Sequence, residues 1–126
     1  MKLTVRFTYE HSMNECAAMD SFMIHTCRYS TAVRRKHWKR YKDHESGWSK
    51  TTKGWSYGRK CHVSMDVDSY IIKEWIVTKG NIHDSKVSHD LINSVRNYSY
   101  ILADSAYDTS EIYYHILYLY SLAESA

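Results

Sequence analysis

Proline is absent from this chain, and glycine is nearly so, with four residues at positions 47, 54, 58 and 80. The chain therefore carries little turn punctuation, and three of the four glycines fall in a single stretch between 47 and 58. Cysteine is scarce too. Cys16, Cys27 and Cys61 cannot all pair and form no Cys-x-x-Cys knuckle, which excludes a disulfide framework and a structural zinc site. None of the eight histidines has another four residues along, so a helical His-His metal pair is excluded as well. No apolar run approaches the roughly 20 residues of a membrane span. The opening Met1-Lys2-Leu3-Thr4-Val5-Arg6 has no apolar h-region, so a cytoplasmic protein without a membrane partner is expected. What is present is an ordinary hydrophobic share of 44%, which argues against a disordered tail. With 126 residues, a single domain over 1–126 is expected.

The net charge of +3 hides a strong asymmetry. Residues 28–60 hold eleven Lys or Arg against Asp43 and Glu45, a net of +9, while residues 61–126 carry −5 and residues 1–27 carry −1. The cations beyond Arg28 are Arg34, Arg35, Lys36, Lys39, Arg40, Lys42, Lys50, Lys53, Arg59 and Lys60. Trp38, Tyr41, Trp48, Trp55 and Tyr57 are interleaved with them. Such a segment suits a polyanion, with nucleic acid foremost, and its bland counterpart is a solvated loop. Holding three of the four glycines, it reads as a long basic insertion or arm.

Cys16 to Ile24 is mostly apolar and reads as a strand around Asp20, with a helix left open. Cys61, Val63, Met65 and Val67 alternate with His62, Ser64, Asp66 and Asp68, the pattern of a strand with one face solvated. A turn at Asp68-Ser69 leads to a β-branched partner strand over residues 71–78. Asp84 is placed to cap a helix carrying Val87, Leu91, Ile92 and Val95. Tyr98 to Ala103 is a short apolar strand that runs into Asp104. Asp108 and Glu111 suggest a capping box for a last helix with Ile112, Ile116 and Leu119 on one side. The order is β, basic insertion, β, β, α, β, α, an α/β class with a mixed sheet.

Asp20 and Asp104 stand out because each adjoins a strand that is otherwise apolar. A carboxylate held there needs a partner or a metal. In this order the first and fourth strands can lie side by side, so the two acids would converge. Paired hard oxygen ligands suit Mg²⁺ or Mn²⁺ and in-line phosphodiester chemistry. The plainer reading makes Asp20 a strand-edge residue and Asp104 a turn or cap. Asp66 and Asp68 read as solvated.

Four blocks then carry a resemblance. Gly54-Trp55-Ser56-Tyr57-Gly58-Arg59-Lys60-Cys61-His62-Val63-Ser64-Met65-Asp66 resembles the "G-[YF]-K-x-H-x-x-x-D" strand of transposases in the group named after insertion sequence four. Thr78-Lys79-Gly80-Asn81-Ile82-His83-Asp84-Ser85 resembles that group's "T-x-G-N-x-H-D-S" segment. Tyr100-Ile101-Leu102-Ala103-Asp104-Ser105-Ala106-Tyr107-Asp108 resembles its "x-L-A-D-x-[AG]-Y-D" block, and Ala18-Met19-Asp20-Ser21 its short "[AI]-D-S" element. The resemblance covers roughly residues 16 to 115.

It implies a partial RNase-H-like fold and a catalytic Asp-Asp-Glu triad acting with Mg²⁺ or Mn²⁺ on transposon DNA ends. Asp20 and Asp104 would be its first two carboxylates. His83 and Asp84 would stand near the site, more as structural support than as reacting groups. After Asp104 the acids are Asp108, Glu111 and Glu124, none in the family's Tyr…Arg…Glu…Lys context. The expectation is a copy truncated before its catalytic Glu, inactive alone and weak in metal binding. The alternative is a non-catalytic DNA-binding or interaction remnant that could interfere with a full-length transposase. Without a later strand, the sheet is expected to show an open edge and face, partly covered by Tyr113, Tyr114, Tyr118 and Tyr120.

Overall fold

A computed structural model describes residues 3–6, 14–26 and 45–125. Six strands occur among them: β1 (Leu3–Arg6), β2 (Asn14–His25), β3 (Gly47–Thr51), β4 (Gly54–Asp66), β5 (Ile72–Lys79) and β6 (Tyr98–Ala103). Two α-helices follow β5 and β6 respectively, α1 (Ser88–Ser94) and α2 (Ser110–Glu124). The 3-10 turns Asp84–Lys86 and Ser105–Tyr107 precede them. The chain divides into two compact units. The first takes in the described residues up to Asp20, His62–Trp75 and those from His83 on, and the second takes in Ser21–Cys61 and Ile76–Ile82.

In the first unit β6 pairs with β2 in parallel and with β1 antiparallel, which makes the sheet mixed. Neighbours on both edges explain why Tyr98–Ala103 is an unbroken apolar run rather than an alternating one. Leu3–Arg6 pairs along the side of β6 away from β2, a strand not expected from the sequence. Small side chains let β2 lie close to its neighbours, and Ala17 and Met19 turn inward. Above them α1 buries Leu91 and Ile92, with Val95 at its C-terminal end, and α2 buries Ile112 and Ile116. Each of the fully buried aliphatic side chains contributes about 1.5–3 kcal/mol. His89 and His115 stack between the helices, ring centroids 4.2 Å apart. Burial, and then the charge of His89, push the His115 pKa down.

Several expectations change here. The α2 N-cap is Thr109, whose hydroxyl accepts from Ile112 N–H, rather than an Asp108–Glu111 box. Asp108 instead accepts from the Tyr113 hydroxyl at 2.9 Å. Tyr114 and Tyr118 cover little, being 74% and 59% exposed.

The phase of β4 is also reversed at its end. His62, Ser64 and Asp66, read as the solvated face, are buried, while Val63 and Met65 are half-buried. The Ser64 and Asp66 side chains each meet a polar partner, as an interior requires. The Ser64 and Ser94 hydroxyls lie 2.7 Å apart, and Asp66 accepts from the Tyr98 hydroxyl at 2.7 Å. Asp66 also accepts from the N–H groups of Asp68 and Ser69, at 2.8 and 2.9 Å, which fixes the turn into β5. The turn itself is where expected, with Tyr70 at φ 60°.

The second unit revises the basic segment. Its described part is not a loop, since β3 pairs antiparallel with β4 from Gly47↔Gly58 to Thr51↔Gly54. Tyr57 and Cys61 are buried, and Trp48 meets Tyr57 edge-on at 5.2 Å. Gly54 serves the β3–β4 turn at φ 112°, whereas Gly58 and Gly80 mark close approach. A Cβ on Gly58 would stand 2.0 Å from the Ile24 carbonyl oxygen, and one on Gly80 would stand 2.6 Å from the Gly47 carbonyl oxygen.

Candidate carboxylate site

Asp20 and Asp104 are set by the β2–β6 register. Asn14, Cys16, Ala17 and Ala18 lie opposite Tyr98, Tyr100, Ile101 and Leu102, a constant offset of 84 residues. Two residues on, the same offset matches Asp20 with Asp104, and Asp104 continues the extended backbone (φ −79°, ψ 169°). Adjacent strands stand about 4.8 Å apart, and residues at one level of a parallel pair share a face. The expected convergence of the two strands is thus present in the first unit. The expected burial is not, because both aspartates are exposed. Their argument for a cation is proximity, not desolvation.

The Asp104 carboxylate accepts from the Ala106 N–H and so caps the turn Ser105–Tyr107. That turn delivers Tyr107 into the interior, where it is 1% exposed. Its hydroxyl is buried and meets no hydrogen-bond partner. Burial above all, then the charges of Asp84, Asp20 and Asp104, push the phenol pKa well above its ordinary value. Three carboxylates therefore stand within electrostatic reach of one sealed hydroxyl.

Asp84 and His83 exchange the roles expected of them. His83 is the cap of the turn Asp84–Lys86, its Nδ1 accepting from Ser85 N–H at 3.3 Å. Asp84 is drawn inward instead, with Oδ1 3.5 Å from Nδ1 of the fully buried His62. Among the described residues no three His, Cys, Asp or Glu side chains gather closely enough to enclose a metal.

The cations divide three ways. Arg34, Arg35, Lys36, Lys39, Arg40 and Lys42 lie outside the described residues. Lys50 and Lys53 are exposed on the β3–β4 hairpin. Arg59 bonds Glu45 at 2.8 Å, and Lys60 donates to the Ile82 carbonyl at 3.0 Å.

Sequence reasoning gave no role to Tyr107, Tyr98 or His62, and it misplaced Asp66. The signal for Tyr107 was available: it is the large residue of a turn that starts from a candidate ligand.

These features define a mixed α/β domain, compatible with an RNase-H-like one, with one aspartate inside β2 and another just past the end of its parallel neighbour β6. Residues 11–122 match the Transposase DDE domain family, and the chain belongs to that family. No curated protein and no solved structure matches it. No helix among the described residues is long and apolar enough to cross a membrane.

Proposed function

We propose that these residues form the part of a transposase, of the group named after insertion sequence four, that contributes Asp20 and Asp104 to a divalent-metal site and holds DNA through residues 28–60. The observation that carries the reading is the 84-residue register, which matches the two acids of the family blocks on neighbouring strands. Exposed, acceptor-only oxygens at one level fit Mg²⁺ or Mn²⁺, ions that keep several waters when few protein ligands are offered. When bound, such an ion supplies Lewis-acid polarisation of a phosphodiester. The protein's own part is to hold the two carboxylates at one height, with Asp104 fixed by its turn and Asp20 by its strand. His83 and Asp84 act as supports: one caps the preceding turn and the other faces His62.

Two carboxylates make a weak site, so these residues alone bind metal and DNA without completing strand transfer. Within residues 105–126 each described acid has another setting. Asp108 holds Tyr113, Glu111 stands 3.9 Å from His89, and Glu124 lies in the last turn of α2. That favours, as second reading, a non-catalytic DNA-binding remnant able to interfere with a full-length transposase.

Mn²⁺ titration by calorimetry against the Asp20→Asn, Asp104→Asn double variant tests the site. Weak uptake by the parent and none by the variant is expected, and equal uptake by both would sink the assignment. For DNA, four to six phosphate contacts give a slope of log K on log salt of about −4 to −5. Replacing Arg34, Arg35, Lys36, Lys39 and Arg40 with Gln flattens it by several units. Duplex binding unchanged at low salt would reduce the segment to a solvated one.

A further inference from the structure

A buried hydroxyl without a partner is expensive to keep, because it has left water and gained no hydrogen bond in exchange. Tyr107 is such a group. Its ring is sealed at 1% exposure, so packing alone would be served equally well by phenylalanine. The hydroxyl sits three residues beyond Asp104, on the turn that Asp104 caps, and this turn packs against the one that begins with Asp84. The charges of Asp84, Asp20 and Asp104 all act on this hydroxyl. A buried donor that bonds none of them therefore lies within electrostatic reach of three carboxylates.

We infer that Tyr107 is a positioning residue of the carboxylate site, its hydroxyl becoming a hydrogen-bond donor to the aspartates once a divalent cation fixes them. The inference rests on the reading of Asp20 and Asp104 as the metal pair. A carboxylate that gives one oxygen to a cation still has lone pairs facing the protein, and a donor there orients it and strengthens the site. The hydroxyl is too buried to meet DNA itself, so it acts through the aspartates and is not a catalytic residue.

The inference predicts effects of opposite sign for Tyr107→Phe. In the metal-free protein the change removes an unsatisfied polar atom and keeps the ring, so the melting temperature stays level or rises. Mn²⁺ uptake weakens by about ten-fold, the lower end for loss of a group that orients a metal ligand. Calorimetric titration with Mn²⁺ and metal-free melting, run on the parent, Tyr107→Phe and the Asp20→Asn, Asp104→Asn variant, read both effects. Mn²⁺ affinity of Tyr107→Phe equal to a parent that binds would overturn the positioning role and leave the aspartate site standing. A fall in metal-free melting temperature would overturn it too, because the hydroxyl would then be structural. A parent that takes up no more Mn²⁺ than the double aspartate variant fails the site itself, and the role of Tyr107 falls with it.

Discussion

Two acidic regions of this chain look alike in composition and behave as opposites. At the end of β4, Asp66 sits on a face that alternation assigns to solvent, yet it is buried and holds the Tyr98 hydroxyl and two turn N–H groups. Asp20, within β2, and Asp104, just past β6, sit in or beside apolar strands yet are exposed. The first carboxylate is occupied by its own fold. The second pair stands two residues past the Ala18–Leu102 pairing of β2 and β6, and both members are exposed. What separates a structural acid from a candidate ligand here is thus not the hydropathy of its neighbours. It is whether the carboxylate is sealed inside among donors of its own fold or stands exposed, where a cation can reach it.

Replacing the acids tests that contrast most strongly. Asp66→Ala strands the Tyr98 hydroxyl and leaves the turn N–H groups without their acceptor, a loss named among the large destabilising mechanisms. A fall of about 10 °C in melting temperature is expected for a chain of this size. Asp20→Asn and Asp104→Asn together should move it by less than about 2 °C. Asparagine can still accept from the Ala106 N–H, as it does at helix N-caps. Scanning calorimetry on the metal-free proteins compares them directly. Comparable losses at both places would erase the distinction.

How much of this was readable beforehand follows the same line. Strong patterns were legible: the β2, β5 and β6 strands, the apolar sides of α1 and α2, and the side-by-side placement of β2 and β6. These depend on local periodicity and on the short connection between β5 and β6. The phase of β4 was not legible, because its inner face is polar. Ser64, His62 and Asp66 face Ser94, Asp84 and Tyr98, which lie 22 to 32 residues away. Alternation cannot report a partner that distant. The basic segment misled for a related reason. Gly58 reads as a loop residue, whereas in the structure it admits the Ile24 carbonyl against a strand. Tyr107 carried no visible signal in composition, since it is one of twelve tyrosines and only its turn singles it out.

The smallest expected effect is also the one that sharpens the contrast furthest, because it asks whether Asp66 works as a charge. The Ser69 N–H, then the Tyr98 hydroxyl, hold its carboxyl down at about 2, from an ordinary 3.8. The partner responds in kind: burial first, and then the bond to Asp66, push the Tyr98 phenol up to about 12. A carboxyl whose folded pKa is depressed stabilises the fold while ionised, so its contribution is complete above about pH 4. It is lost as pH falls from there toward 2, since the unfolded chain takes up the proton first. Asp66→Asn keeps an acceptor oxygen for the turn but has no proton to gain. Melting temperatures recorded from pH 5 to pH 2 should therefore converge, the parent starting a few degrees above the variant and losing that lead by the acid end. Other carboxyls titrate in both proteins and cancel in the difference between the two curves. Curves that stay parallel over the whole range would mean that the ionised form of Asp66 adds nothing beyond its shape, and the two acidic regions would then differ only in packing.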